Sequence, residues 1–139
     1  MIRDFLNPAD LPNWSESFSQ VVAVRTGSTV TVYVSGQVSV DADNVVVGRG
    51  DLRRQTQVSL ENLTNALAAA GAKLEDVVRL GIFIKDYRPE HAAIIGSALR
   101  GKFAAGRMPA STWLGVSALA LDDLLIEIEA VAVIDVVKV

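Results

Sequence analysis

The chain of 139 residues has the size of one domain, and its composition, half hydrophobic and 21% charged, predicts more apolar surface than such a domain buries alone. We therefore expect an oligomer interface and no membrane association, because no apolar run approaches the ~18 residues that cross a bilayer. A net charge of −3 argues against nucleic acid as a partner, and the absence of cysteine with a single histidine argues against disulfides, thiolate chemistry and a metal centre. The N-terminus lacks the basic and apolar regions of a signal peptide, so we expect a cytoplasmic protein.

The first half of the chain predicts a hairpin followed by a long helix. Residues 18–24 and 29–34 are rich in β-branched side chains, and the Arg-Thr-Gly-Ser segment between them is typical of a turn. A third, short strand is expected near Val38. Apolar residues then recur at spacings of three and four, which predicts an amphipathic helix with Asp51 as its N-cap and Gly71 just past its end.

The second half predicts three strands and one helix. Residues 77–84 have the composition of a strand, and Pro89 fits the first turn of a helix that extends to about Phe103. Residues 111–116 and 125–136 predict the last two strands. The predicted order is ββ(β)αβαββ, in a single domain over all 139 residues.

The last predicted strand places two carboxylates among aliphatic residues. Because side chains alternate along a strand, Glu127 and Glu129 share one face with Leu125, Val131 and Val133. The strand rise separates the two carboxylates by roughly 6.5 to 7 Å. We expect at least one of them to be partly desolvated, which raises a carboxyl pKa toward values useful for acid or base catalysis. The alternative is that both are solvated.

Short motifs throughout the chain are similar to those of one known family. They lie at residues 33–37 (Tyr-Val-Ser-Gly-Gln), 69–72, 76–78, 83–86, 109–110 and 126–133. Their order and spacing resemble the Rid family, also called YjgF/YER057c/UK114, over nearly the whole chain. The resemblance implies an α+β, chorismate-mutase-like fold, in which a mostly β sheet is backed by two helices. It also implies a homotrimer whose small-molecule pockets lie between subunits.

The resemblance further implies hydrolysis of reactive enamines and imines to 2-oxo acids and ammonia, without a metal or organic cofactor. Carried over by motif, the residue that orients or activates water is Glu129. Ser35 and Gly36 correspond to pocket residues. Phe18 stands where the family has a first-strand tyrosine that closes the pocket.

Three positions depart from the family pattern. Ser111 stands where an arginine after Pro-Ala holds the substrate carboxylate, and a hydroxyl cannot replace a bidentate guanidinium. Phe18 lacks the phenol of the usual tyrosine. Trp113, two residues beyond Ser111 on the same strand face, replaces a small residue. The chain therefore resembles a subgroup without the arginine, in which we expect a pocket that is aromatic and neutral rather than suited to binding an anion.

Two other arginines are candidates to replace the missing one. Arg88 occupies a turn that faces the pocket in some family members, and Arg107 lies four residues before Ser111. The alternative for each is a solvated surface cation.

The remaining polar and aromatic residues have structural interpretations. We expect Glu127 to form a surface or interface salt bridge, and His91 to lie on an exposed helix turn. Ser35 has the alternative role of satisfying nearby backbone groups. Packing is the expected role of three aromatic residues, namely Trp14, Tyr33 and Tyr87.

Three functions of different classes remain open. The first is an imine or enamine hydrolase that uses Glu129. The second is a trimer that binds or senses a small neutral or cationic ligand without catalysis. The third is an RNA-related activity, as described for some family members, against which the acidic net charge argues.

Overall fold

The computed structural model describes residues 1–136, which form one six-stranded sheet and two α-helices. In chain order the elements are β1 (Ile2–Leu6), β2 (Val21–Thr26), β3 (Thr29–Val38), α1 (Leu52–Ala69), β4 (Val77–Lys85), α2 (His91–Arg100), β5 (Ala110–Val116) and β6 (Ile126–Asp135). A single 3-10 turn, Leu74–Asp76, precedes β4. This arrangement confirms the α+β class and the two helices behind a sheet.

The strand order places β6 in the middle of the sheet. The order is β1-β2-β3-β6-β4-β5, and every neighbouring pair is antiparallel except β4 and β5. The parallel pair requires a crossover, which α2 supplies. β6, the strand that carries both glutamates, therefore lies between β3 and β4, two strands that are distant from it in the sequence.

The two faces of β6 differ as the sequence predicted. Ile126, Ile128, Ala130 and Ala132 are buried in the core that α1 and α2 cover. Glu127 and Glu129 alternate with these residues and lie on the opposite face, which we call the outer face of the sheet.

Helix α1 begins and ends with the predicted signals. Asp51 accepts a hydrogen bond from the Arg54 N–H at 3.0 Å, which confirms it as the N-cap. After the helix, Gly71 adopts φ +76°, and the Ala72 N–H donates to the Leu67 carbonyl at 3.0 Å. No helix within residues 1–136 is long and apolar enough to cross a membrane.

Three strand predictions need correction. β1 was not predicted, because its residues are mostly exposed and therefore lack an alternating pattern. The strand predicted from Phe18 begins only at Val21, since Phe18 belongs to a preceding turn. The separate strand predicted near Val38 is the end of β3, which continues past a bulge between Val34 and Gln37.

Candidate functional site

Two carboxylates lie on the outer face of the sheet, and each covers a glycine. A Cβ atom on Gly36 would lie 2.5 Å from Glu127 Cδ, and one on Gly81 would lie 2.5 Å from Glu129 Oε1. Gly81 faces Glu129 directly in the β4–β6 register. Gly36 lies within the β3 bulge, which brings it beside Glu127. Any side chain at either glycine would displace the carboxylate above it.

Glu127 lies in a cleft of about 200 Å³ that we call the aromatic cleft. Its lining residues are Pro12, Trp14, Phe18, Gln20, Gly36, Gln37, Val38, Val40, Asn44, Ala120, Leu121, Leu124 and Glu127. Among the residues that the structure describes, the lining is therefore mainly apolar and includes one carboxylate.

One wall of the aromatic cleft is a stacked pair of rings. The Trp14 and Phe18 centroids are 6.2 Å apart and the rings are inclined by 16°. The Phe18 N–H donates to the Trp14 carbonyl at 2.9 Å, so a backbone turn holds the two side chains together. With relative exposures of 40% and 43%, both rings retain surface that a ligand can cover.

Two buried glutamines, Gln20 and Gln37, line the aromatic cleft and form hydrogen bonds that hold its segments together. Gln37 Nε2 donates to Gln20 Oε1 at 2.8 Å and to the Ser35 carbonyl at 3.1 Å. Gln20 Nε2 in turn donates to the Pro12 carbonyl at 3.0 Å. These bonds attach the segment before β2 to β3, and thereby hold the aromatic wall in the same cleft as Glu127.

Burial raises the pKa of the half-buried Glu127 carboxyl, and the negative charge of Glu129 raises it further. The prediction that at least one of the two glutamates is partly desolvated is thus confirmed for Glu127. In the part of the chain that the structure describes, ion pairs join Arg49 to Asp123 and Arg88 to Glu90, and none includes Glu127. The salt bridge expected for Glu127 is therefore not found among residues 1–136.

Glu129 lies in a different cleft, of about 250 Å³, which we call the Glu129 cleft. Its lining residues are Val22, Tyr33, Val34, Ser35, Arg79, Gly81, Glu129, Ala130 and Val131. Arg79 is exposed, and its Nη2 donates to Thr112 Oγ1 at 3.3 Å. Ser35 Oγ donates to the Ser19 carbonyl at 2.6 Å, which confirms the structural role considered for this hydroxyl.

The structure divides the residues predicted to form one pocket. Phe18 and Gly36 line the aromatic cleft, whereas Ser35 and Glu129 line the Glu129 cleft.

Ser111 and Trp113 line neither cleft. They pair with Leu80 and Ile82 of β4 and thus share the helix side of the sheet, where Trp113 packs against the core. Trp113 Nε1 donates to Ser111 Oγ at 2.8 Å, which confirms that the two residues share a face. Within one chain they lie away from both glutamates.

Neither arginine proposed as a substitute lines these clefts. Arg88 is exposed, with Nη1 4.0 Å from Glu90 Oε1, and its N–H donates to His91 Nδ1 at 3.0 Å. Arg107 lines a surface depression with Glu75 and Asp76. Within one chain, both arginines are therefore surface cations, which is the alternative considered for them from the sequence.

Sequence reasoning missed several cleft residues, among them Arg79, Trp14 and Tyr33. Arg79 could have been found from strand alternation, because it shares a face with Gly81 opposite the buried Leu80. Trp14 and Tyr33 were assigned to packing, but both are partly exposed and line clefts. Nothing local in the sequence distinguishes such aromatic residues from buried ones.

Residues 9–134 match the family described as endoribonuclease L-PSP. The chain belongs to this family, the Rid/YjgF family. It is 32% identical to a 2-iminobutanoate/2-iminopropanoate deaminase of Dermatophagoides farinae over 113 residues, covering 81% of this chain and 84% of the relative. A RutC family protein of Pyrococcus abyssi is also 32% identical, over 110 residues that cover 79% and 82%.

The fold of the chain is that of solved Rid structures. YyfB of Yersinia pestis, a member of the Rid family described as a protein of unknown function, is 38% identical, with a TM-score of 0.71. The match covers 95% of this chain and 98% of the other. Membership in the Rid family, predicted from short motifs, is thus confirmed.

Proposed function

We propose that this Rid protein hydrolyses a reactive imine or enamine to a carbonyl compound and ammonia, in the aromatic cleft, with Glu127 as the acid–base group. The observation that carries the proposal is the half-buried Glu127 carboxylate, which lies over Gly36 in an aromatic-walled cleft and has a raised pKa. The deaminase that is 32% identical supports the same reaction class.

The chemistry requires one group that first accepts and then donates a proton. Ionised Glu127 accepts a proton from water as the water oxygen bonds to the C=N carbon. Protonated Glu127 then donates to the nitrogen, which leaves as ammonia, and the ionised carboxylate accepts the remaining hydroxyl proton as the carbonyl forms. A pKa raised toward the working pH favours both steps, because the group is then neither too weak a base nor too weak an acid.

The sequence prediction assigned this role to Glu129, and that assignment remains a prediction. Glu129 is exposed and shares its cleft with Arg79 rather than with the aromatic wall. The geometry therefore favours Glu127, while a Glu129 reaction would use the other cleft and the Arg79 cation.

The two glutamates provide matched variants for an assay of ammonia and carbonyl release from freshly generated imines. We expect Glu127→Gln to lower turnover by about 10²- to 10⁴-fold, the usual contribution of a general acid–base group, and Glu129→Gln to cause the smaller loss. The reverse order would transfer the reaction to Glu129. No turnover by the folded wild type would favour the alternative, a binding or sensing protein, as would tryptophan quenching without ligand consumption.

We also propose the homotrimer with pockets shared between subunits, and a cytoplasmic location. Ser111 and Trp113 support the shared pocket: since they line neither cleft in their own chain, they can reach a ligand only across a subunit boundary. A monomer in native mass spectrometry at micromolar concentration would contradict this arrangement. Cleavage of RNA at low salt would contradict the expectation that nucleic acid is not a partner.

A further inference from the structure

We propose that the aromatic cleft selects an organic cation without a carboxylate: an iminium ion, or the related primary ammonium, with an aryl or branched apolar substituent. This inference names the substrate class of the reaction proposed above and rests on it for turnover. The preference in binding is independent of catalysis.

Charge is the first argument. Among residues 1–136, the side chains that line the aromatic cleft include one carboxylate, Glu127, and no arginine, lysine or histidine. Glu127 also lacks an ion pair within these residues. Within residues 1–136 of one chain, a ligand carboxylate would therefore meet a like charge and no cation, whereas a cationic nitrogen would pair with Glu127.

The cleft walls supply the second argument. Trp14 and Phe18 present partly exposed ring surface beside Glu127, and Leu121 and Leu124 line the same cleft. Aromatic faces attract organic cations electrostatically, and apolar walls stabilise an apolar substituent. A cleft of about 200 Å³ has room for a small molecule with one ring or a short branched chain.

The Glu129 cleft contrasts with this chemistry. It contains Arg79, so an anion has a cation to contact there. Arg79, the side chain that suits a carboxylate, thus lies in a different cleft from the aromatic cleft, which suits a cation.

The proposed reaction balances for this substrate class. One iminium ion and one water molecule give one carbonyl compound and one ammonium ion. The C–O bond forms, the C–N bond breaks, and both protons of the water end on nitrogen. Glu127 carries the first proton, then takes the second from the hydroxyl as the carbonyl forms and passes it to the departing ammonia, so it ends in its starting protonation state. No oxidant, reductant or further reactant is consumed.

Binding can be tested by calorimetry with three ring-matched probes: benzylammonium, benzyl alcohol and benzoate. For the wild type, we expect benzylammonium to bind at least about 10-fold more tightly than benzyl alcohol, and benzoate to bind most weakly. Glu127→Gln should remove the preference for the cation, and Phe18→Ala should weaken the binding of benzylammonium. Arg79→Met, in the Glu129 cleft, should leave benzylammonium binding unchanged. Circular dichroism of each variant verifies the fold.

Two results of the binding experiment would overturn the inference. Benzoate binding as tight as that of benzylammonium would show that a cation other than those of residues 1–136 of the same chain reaches the cleft. Equal affinity of wild type and Glu127→Gln for benzylammonium would show that Glu127 does not contact the ligand.

Turnover separates this inference from the proposed function. Freshly generated phenylacetaldimine and 2-imino-3-phenylpropanoate share a benzyl group and differ only in the carboxylate that replaces the hydrogen on the imine carbon, and we expect at least about 10-fold faster hydrolysis of phenylacetaldimine relative to the uncatalysed rate. Faster hydrolysis of the imino acid would overturn the inference while supporting the proposed function. Binding of benzylammonium without hydrolysis of either imine would support the inference and contradict the proposed function.

Discussion

Replacing Gly36 by alanine should lower activity strongly and stability only slightly, because the new methyl group would occupy space that the Glu127 side chain now fills. The Cβ atom would lie 2.5 Å from Glu127 Cδ and 2.7 Å from Cγ. Carbon atoms in contact prefer about 3.5 to 4.0 Å, so the carboxylate must move by about 1 Å or more. A misplacement of that size in a catalytic group costs roughly 100-fold in rate.

The expected cost in the free energy of unfolding is much smaller. Overpacking costs about 1 to 3 kcal/mol, but the half-buried Glu127 can turn toward solvent, which favours the lower end of that range. Gly36 does not have a positive φ, so alanine also restricts the unfolded chain and recovers about 0.4 to 1 kcal/mol. The net loss should therefore lie between about zero and 1 kcal/mol.

The assay compares kcat/KM for ammonia release and the free energy of unfolding in urea for wild type, Gly36→Ala and Gly81→Ala. Gly81→Ala is the matched control, since its Cβ atom would displace Glu129 instead of Glu127. We expect the larger rate loss in Gly36→Ala. A Gly36→Ala protein within threefold of wild-type kcat/KM would refute the reasoning, and a larger loss in Gly81→Ala would identify Glu129 as the acting group.

Three further changes test the electrostatics and the framework of the site. The pKa of Glu127 in the folded protein is raised above the ordinary value of 4.5 that it has in the unfolded chain. Between the unfolded-state and folded-state pKa values, the folded protein binds more protons than the unfolded chain. The stability of the wild type should therefore fall as the pH rises from the first pKa through the second. The Tm of Glu127→Gln minus the Tm of the wild type should therefore increase as the pH rises through this range. Gln55→Leu removes an acceptor for the Leu125 N–H and two donated bonds, so it should cost about 1 to 3 kcal/mol in free energy of unfolding. Asp51→Ala removes the N-cap of α1 and should cost about 1 kcal/mol.

Each change has a measurement and a contrary outcome, and the capping change also has a control variant. Differential scanning fluorimetry from pH 4.5 to 7.5 checks the first, and a Tm difference that stays constant or shrinks with pH would contradict the raised pKa. Urea titration checks the other two. Asp10→Ala removes an exposed carboxylate that caps no helix, so a loss equal to that of Asp51→Ala would exclude the capping explanation. A stability of Gln55→Leu equal to wild type would show that its three hydrogen bonds contribute no net stability.

Local patterns in the sequence determined the parts of this protein that depend on nearby residues. The spacing of apolar side chains and the Asp51 cap defined α1, since helix contacts recur within four positions. Alternation along β6 separated the glutamates from the buried isoleucines, because a strand reverses its side chains at every residue. The motifs identified the family and, through it, the α+β class.

Only the tertiary structure decided which glutamate is partly desolvated and what surrounds it. Glu127 and Glu129 have nearly the same local sequence, but the β3 bulge places Gly36 beside Glu127, and the Trp14–Phe18 turn covers that end of the strand. Ser111 and Trp113 lie on the opposite face because of the parallel β4–β5 register. These contacts join segments far apart in the chain. Burial, and with it the pKa of a carboxyl, depends on such distant neighbours, which no local pattern specifies.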